Sequence, residues 1–248
     1  MSRGLFAFPS GGGDGVSLSP LAYTTIDLTS GYTPVTPSGM GYSSVTHAGG
    51  VNTFTFNALG TGDLKYAFTG SASEWPRHHA ALNDSDGTRL TTDDSFILVV
   101  KLSSFTHPGA ADLRVAVGCC LDPSATLTTN FDGYGIGRRM SNNALSREGH
   151  QVYLDSTNGN TSGFTYDGAD TIYGTVVRTA DRHAGNTVYG ELSDASAANA
   201  QYTTKSTQAL TASQNWSLFI ATSTTSTGTI SAGESIAFKA EYQIIKLR

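Results

Sequence analysis

The chain is poor in charged residues, and this shortage disfavours functions that need a strongly charged surface. Asp, Glu, Lys and Arg make up 14% of its 248 residues, and the formal net charge is −5. A soluble domain usually carries about 25%. Arg138 and Arg139 form the one adjacent basic pair, so the sequence lacks the basic surface that a nucleic-acid-binding domain needs. We therefore expect no nucleic-acid partner.

Cysteine is scarce as well. The two cysteines, Cys119 and Cys120, are neighbours in the sequence. Successive strand residues point to opposite faces, so we expect one thiol in the core and the other on the far side of its sheet. A disulfide between adjacent cysteines would be strained, which favours free thiols. This usage is typical of a protein that folds in a reducing compartment.

Long apolar runs are also missing. No segment approaches the roughly 18 apolar residues of a membrane-spanning helix. Residues 1–9 lack the apolar core of an export signal. We therefore expect the protein to fold in the cytoplasm, and we expect no membrane insertion. No segment of helical length has a convincing period of 3.6 residues, which disfavours an α-helical fold.

Two-residue alternation dominates what is present. Residues 51–57 (VNTFTFN) alternate apolar and polar side chains, as a half-buried strand does. Residues 95–102 are a nearly continuous apolar run, typical of a central strand buried on both faces. Asn158-Gly159 is a strong hairpin signal. Roughly a dozen such segments predict an all-β fold of two antiparallel sheets, with residues 46–248 as one sandwich domain.

Residues 1–45 differ from the rest of the chain. Gly11 to Gly13 and four prolines interrupt any regular element. We interpret this segment as an extended N-terminal arm that lies either on its own domain or on a neighbouring subunit, with a short strand within residues 23–29. A neighbour can satisfy the backbone groups that an extended arm leaves unpaired. The candidate assembly residues are the aromatic ones: Phe6, Phe8, Tyr23 and Tyr32.

Residues 69–94 are predicted to form a long polar loop, and long loops on compact domains are often functional. Trp75 precedes Pro76 there and is the best candidate for an exposed aromatic ring that stacks on a sugar. Arg77, His78 and His79 follow it and supply polar contacts. These four residues, Trp75, Arg77, His78 and His79, are the candidate glycan or contact site. The alternative is a polar surface loop in which Trp75 only fills a packing gap.

The acidic residues form no recognisable catalytic pair. Many two-sheet jelly rolls hydrolyse polysaccharides with two carboxylates that face one concave sheet. Glu148, Asp155 and Glu191 are isolated near strand ends, whereas Glu234 and Glu241 occupy the terminal strand. The sequence also lacks a Gly-x-Ser-x-Gly elbow. We therefore predict no catalytic residue, no enzyme activity and no cofactor.

Two loops contain oxygen ligands at a spacing that calcium can use. One holds Asp84 and Asp86, and the other holds Asp155, Asn158 and Asn160. Because Asp and Asn favour turns for their own hydrogen bonding, turn chemistry explains both groups. We predict no metal site.

The second half of the chain resembles the concanavalin A-like two-sheet jelly roll. The resemblance is carried by residues 171–178 (TIYGTVVR), the hairpin to 187–192 (TVYGEL), the strand 216–221 (WSLFIA) and the closing segment 233–244. Ala221 stands where the family often has glycine. The resemblance covers residues 46–248 and implies a jelly-roll sandwich. No catalytic or metal motif of the family carries over.

The short Gly/Ser/Thr-rich segments and the aromatic-bearing arm also resemble structural proteins of tailed bacteriophages, such as capsid decoration proteins, fibres and knobs. This resemblance implies a non-enzymatic virion protein, assembled in the host cytoplasm. Its expected partners are sister subunits in a homo-oligomer, for example a trimer, and major capsid or tail proteins. Two alternatives stay open: a glycan-binding, lectin-like host-attachment module, and a polysaccharide hydrolase or lyase.

Overall fold

The computed structural model describes residues 22–35, 42–58, 77–106, 113–121, 133–140, 148–154, 160–165, 171–180, 187–194, 202–206, 212–224 and 231–247. These ranges contain strands and no helix, so none of them offers a helix that could cross a membrane. The strands are β1 (Thr24–Thr25), β2 (Thr33–Val35), β3 (Tyr42–Ala48), β4 (Val51–Phe56), β5 (Arg77–Ala81), β6 (Phe96–Thr106), β7 (Leu113–Cys120), β8 (Gly133–Met140), β9 (Glu148–Leu154), β10 (Asn160–Thr165), β11 (Ile172–Thr179), β12 (Thr187–Asp194), β13 (Tyr202–Ser206), β14 (Ser217–Thr224) and β15 (Ser235–Lys246).

The strands form two antiparallel sheets. Sheet A has eight strands in the order β13-β12-β11-β6-β15-β4-β3, with β1 also paired to β15. Sheet B has seven strands in the order β10-β9-β8-β7-β14-β5-β2. The prediction of an all-β, two-sheet antiparallel fold is confirmed.

Strand alternation supplies the core between the sheets. On β6, the residues Phe96, Leu98, Val100 and Leu102 are all fully buried and belong to one apolar cluster. Their counterparts on sheet B include Leu218 on β14. Strand β6 lies between β11 and β15, as expected for a central strand, although Ile97 and Lys101 on its other face are only half-buried. Each large apolar side chain buried in this layer contributes about 1.5–3 kcal/mol.

The two cysteines divide between the two faces of β7, as predicted. Both are free and buried, and Cys119 belongs to the core cluster whereas Cys120 does not. Burial raises the pKa of the Cys119 thiol to about 12, so it stays protonated at physiological pH.

Part of the predicted arm lies on its own domain, which was one of the two alternatives. Strand β1 pairs with β15 in sheet A and β2 pairs with β5 in sheet B, so residues 22–35 cross from one sheet to the other. Ile26 and Leu28 are buried in the core on the way. Strand β3 begins at Tyr42, so sheet A already includes residues ahead of the predicted boundary at residue 46.

The four aromatic residues proposed for assembly divide into two groups. Phe6 and Phe8 lie outside the described residues. Tyr32 is half-buried against the core cluster, and the Tyr23 ring centroid lies 5.6 Å from Lys101 Nζ. Tyr23 and Tyr32 therefore make contacts within their own chain, and their role in assembly stays a prediction.

A buried side-chain amide adds to the attachment of this segment to the sandwich. Asn52 on β4 is fully buried. Its Nδ2 donates to the carbonyl oxygen of Ile26 at 2.8 Å, and its Oδ1 accepts from the backbone N–H of Leu28 at 3.0 Å. The same Oδ1 lies 3.0 Å from Nδ1 of His47 on β3. Because buried backbone groups must be paired, the Asn52 side chain supports the path of residues 26–28.

We expect Asn52→Ala to lower the free energy of unfolding by about 3 kcal/mol, because a buried N–H and a buried carbonyl group lose their partners. Urea denaturation measures this change. Asn57→Ala is the matched control, since Asn57 is exposed just beyond the end of β4, and it should cost less than about 0.5 kcal/mol. Equal losses for the two variants would contradict this role for Asn52.

The expected loop over residues 69–94 is wrong for residues 77–81, which form β5. His78 on this strand is 3% exposed and faces the core, with its ring centroid 5.6 Å from that of Phe54 and 5.8 Å from that of Tyr42. Its Nδ1 is buried and has no hydrogen-bond partner among the described residues. Burial, aided by the nearby His79, lowers the pKa of His78 to about 4.

This burial makes stability depend on pH. An unfolded histidine has a pKa of about 6.5, so between about pH 6.5 and pH 4 the unfolded chain binds the proton more readily than the folded chain. We expect the His78 contribution to be fully present above about pH 6.5. Up to about 3 kcal/mol should be lost as the pH falls to 4. Urea denaturation at a series of pH values should show a flatter profile for His78→Leu than for the wild type, and identical profiles would refute this account.

Candidate functional site

A groove of about 520 Å³ lies on sheet B, on the side that faces away from sheet A. Strand register explains its floor: Ser217 on β14 lies opposite Ala81 on β5, and the inward neighbours of these residues, such as Leu218, belong to the core. The groove is lined by residues in or just before β2, in β5, in the segment after β5, in the turn before β14 and at the start of β14: Gly31, Thr33, His79, Ala80, Ala81, Arg89, Ser213, Gln214, Asn215 and Ser217.

The segment after β5 is held in place by backbone hydrogen bonds. The backbone N–H of Leu82 donates to the Trp216 carbonyl, and that of Trp216 donates to Leu90. Leu82, Leu90 and Trp216 are buried, so apolar packing anchors both sides of this connection. Arg89 stands immediately before Leu90 and is thereby placed beside the start of β14.

The wall formed by residues 213–215 is fixed to the core through Thr92. The Thr92 hydroxyl oxygen accepts from the backbone N–H of Gln214 at 3.1 Å, and the Thr92 carbonyl accepts from the buried guanidinium of Arg178. Ser213 Oγ donates to Asp93 Oδ2 at 2.7 Å. Ser213 has a φ of 58°, a left-handed conformation that costs a residue with a side chain about 1 kcal/mol or more. The surrounding contacts hold the wall in this one shape.

Arg89 supplies the positive charge of the groove. Its Nη2 donates to Ser217 Oγ at 3.0 Å. Among the described residues, no carboxylate lies within ion-pair distance of it, and its Nε is buried without a hydrogen-bond partner. Burial lowers the pKa of Arg89, and the nearby Cys120 opposes this effect. An arginine remains protonated under such conditions, so Arg89 is a cation with unused donors.

His79 adds a neutral ring beside this cation. Burial lowers the pKa of His79, and repulsion from Arg77 and Arg89 lowers it further. The imidazole is therefore uncharged at neutral pH and offers one donor and one acceptor. Together with the hydroxyl and amide groups of the lining, it gives the groove a dense set of hydrogen-bonding groups around one positive charge.

The described acidic residues near the C-terminus perform structural tasks. Glu241 lies between Lys101 and Lys239, at 2.9 Å and 3.0 Å from their Nζ atoms. Its burial acts to raise its pKa, but the hydrogen bonds from the two lysines outweigh this effect and the pKa is lowered. Glu234, just before β15, accepts from the backbone N–H of Ser231 at 2.6 Å. The Glu241 carboxylate is therefore held in its charged form by two lysines, and that of Glu234 closes a turn.

Of the three other acidic residues considered as catalytic candidates, the two that the structure describes lie in different sheets. Glu148 begins β9 in sheet B, whereas Glu191 belongs to β12 in sheet A. Asp155 lies outside the described residues. No pair among these residues is therefore placed on one described cleft.

The two calcium candidates have different outcomes. Asp84 Oδ1 accepts from the backbone N–H groups of Asp86 and Thr88, at 3.0 Å and 2.9 Å, so the carboxylate closes a turn, with Gly87 at a φ of 81°. These hydrogen bonds within a turn agree with the alternative to calcium binding that the sequence offers for this loop. In the second group, Asp155 and Asn158 lie outside the described residues. Within the described ranges, no three acidic, cysteine or histidine residues cluster as a metal site would require.

The four residues predicted as a glycan or contact site have separate positions. Trp75 lies outside the described residues. Arg77 and His78 are 2% and 3% exposed on β5, so neither belongs to a surface loop. His79 lines the groove. Sequence reasoning missed Arg89, Asn215 and Ser217, because nothing local shows that residues more than a hundred positions apart meet through the pairing of β5 with β14.

Neither a protein-family model nor a curated protein matches this chain. Solved structures do. A legume lectin-like domain from Entamoeba histolytica matches with a TM-score of 0.51 and 10% identity over 89% of this chain and 92% of that one. A laminarinase from Flavobacterium sp. UMI-01 has a TM-score of 0.51 and 10% identity over 92% of this chain and 100% of the enzyme.

A protein of unknown function from Shewanella oneidensis MR-1 is also similar, with a TM-score of 0.50 and 12% identity over 96% of this chain and 97% of that one. At such low identity, these likenesses establish the fold alone. They agree with the two antiparallel sheets and with the resemblance in residues 46–248. The chain has the concanavalin A-like, legume-lectin-like jelly-roll sandwich fold.

Proposed function

We propose that this chain is a non-catalytic binding domain that holds a carbohydrate in the groove on sheet B. One observation carries the proposal: the groove combines a cation, hydroxyls, amides and a neutral imidazole, and no carboxylate lies among its described lining residues. Such a surface can donate and accept many hydrogen bonds. Its described lining residues include no pair of carboxylates of the kind that hydrolyses a glycosidic bond.

The dimensions of the groove support the same function. Its volume of about 520 Å³ lies within the roughly 300–1,000 Å³ of small-molecule sites. Sugars present hydroxyls that both donate and accept, and Thr33, Gln214, Asn215 and Ser217 offer matching groups around the groove. The hydrogen bonds from Gln214 and Ser213 to residues 92 and 93 fix one wall before any ligand arrives. Prior ordering reduces the entropy that binding costs.

We expect Ala81→Tyr to weaken glycan binding by about tenfold or more, because the larger side chain fills the floor of the groove and displaces hydrogen-bonded ligand. A glycan array followed by isothermal titration calorimetry measures the loss. Ala48→Tyr is the matched control: Ala48 is also exposed on a strand, but on β3 of the other sheet, and binding should be unchanged. Equal binding by both variants would reject this groove.

The same preparations separate binding from catalysis. The polysaccharide hydrolase or lyase alternative shares this fold, as the laminarinase illustrates. We expect no new reducing ends and no unsaturated products when the wild-type protein is incubated with the polysaccharide that it binds. Turnover that Ala81→Tyr abolishes and Ala48→Tyr preserves would overturn the non-catalytic assignment.

We also propose that the domain serves as a structural component of a virus particle, assembled in the host cytoplasm. The resemblance of the Gly/Ser/Thr-rich segments and of the aromatic-bearing arm to structural proteins of tailed bacteriophages supports this role. Strands β1 and β2 anchor residues 22–35 to both sheets of their own domain. This anchor fixes the point on the domain from which residues 1–21, with Phe6 and Phe8, continue. Those residues would contact sister subunits in a homo-oligomer, such as a trimer, and major capsid or tail proteins. Glycan binding would then serve host attachment.

For this role, we expect deletion of residues 1–21 to leave the sandwich folded but to abolish the homo-oligomer. The deletion keeps Ile26, Leu28 and both anchoring strands, so the thermal unfolding midpoint should stay within a few degrees of that of the full chain. Size-exclusion chromatography with light scattering measures the oligomeric state, and Phe6→Ala/Phe8→Ala tests the aromatic residues alone. A truncated chain that keeps its oligomeric state would contradict the assembly role.

A further inference from the structure

The charge of the groove is opposite in sign to that of the chain. The net charge of the whole protein is −5, yet the described lining of the groove holds one guanidinium and no carboxylate. Asp93 contacts the wall only by accepting the hydroxyl of Ser213, and Asp94 is ion-paired with Lys246 at 2.9 Å. Among the described lining residues, Arg89 is thus the charged side chain that a ligand meets in the groove.

Within the described part of the chain, the Arg89 guanidinium has few partners. Its side chain is partly buried, and among the described residues its guanidinium makes one hydrogen bond, to Ser217. Removing a charge from water without a compensating partner is costly. A carboxylate supplied by a ligand would compensate this cost, because it accepts two parallel hydrogen bonds from the fork of a guanidinium. A neutral sugar hydroxyl would compensate it only in part.

We infer that the groove is specific for an acidic sugar, a uronate or a related carboxylate-bearing residue of a polysaccharide, whose carboxylate pairs with Arg89. This inference rests on the proposed function and names its ligand class. The other described lining residues favour a sugar, rather than a peptide, as the molecule that carries this carboxylate. Gln214 and Asn215 suit ring hydroxyls, whereas no large apolar side chain is present in the described lining to anchor a peptide.

The test compares two matched probes by isothermal titration calorimetry. One is an oligogalacturonate, and the other is its methyl ester, which has the same rings and ring hydroxyls but replaces each charge with a methyl group. The wild-type protein should bind the free acid at least about tenfold more tightly than the ester. Arg89→Gln should remove most of that preference, because the free acid loses more affinity than the ester does, while Arg89→Lys should retain part of the preference.

Lys239→Gln is the charge-matched control, because it also removes one positive charge. Lys239 lies on β15 in sheet A, where it pairs with Glu241, whereas the groove lies on sheet B. It should leave the preference intact. A preference that Lys239→Gln reduces as much as Arg89→Gln would mean that net charge alone attracts the acid, and it would overturn the inference. Thermal unfolding of each variant verifies that the fold is kept.

Two further outcomes separate this inference from the proposed function. Equal affinity of the wild type for the acid and the ester would reject acidic-sugar specificity and leave carbohydrate binding in place. Binding of neither probe, nor of any sugar on a broad glycan array, would reject both. A polyglutamate peptide is the third probe, and binding of this peptide as tightly as the oligogalacturonate would reject the sugar as the ligand.

Discussion

The packing of sheet A against sheet B is the interaction on which the rest of the structure depends. Each sheet offers one apolar face, and the side chains of β6 and β14 meet in a single layer between them. Because side chains alternate along a strand, the choice of inward residues also decides which residues point outward. A shift of one residue in any central strand would exchange core and surface along its whole length.

This constraint positions the groove. On β5, His78 is the inward residue and packs against Phe54, so His79 must face the other way and line the groove. On β14, burial of Leu218 likewise turns Ser217 outward beside Arg89. The buried guanidinium of Arg178 extends the same support, since it reaches from β11 in sheet A to the carbonyl of Thr92.

The strands were the most predictable part of this molecule. Alternation in residues 51–57 and the apolar run in residues 95–102 identify β4 and β6, because burial on one or both faces of a sheet selects such patterns. Strand β5 was missed for a physical reason. Its sequence, RHHAA, contains no large apolar residue, and the structure nevertheless buries Arg77 and His78 through tertiary packing that local propensity does not report.

The candidate site was less predictable than the fold. His79 stood out in the sequence as part of a polar cluster, whereas Arg89 and Asn215 carry no local signal. They meet because β14 pairs with both β5 and β7, and this register depends on how the whole core packs. The anchoring by Asn52 could not be predicted from the sequence either. Its partners are backbone groups of residues 26 and 28, and such groups leave no sequence signal.

The most direct test of this account is an NMR titration of isotope-labelled protein with an oligogalacturonate, following the backbone amides and the arginine side-chain N–H signals. The account predicts that the largest shifts map to Arg89, His79 and residues 213–217, and that the sugar is recovered uncleaved. Shifts confined to the opposite sheet, or release of shorter sugars during the titration, would contradict it.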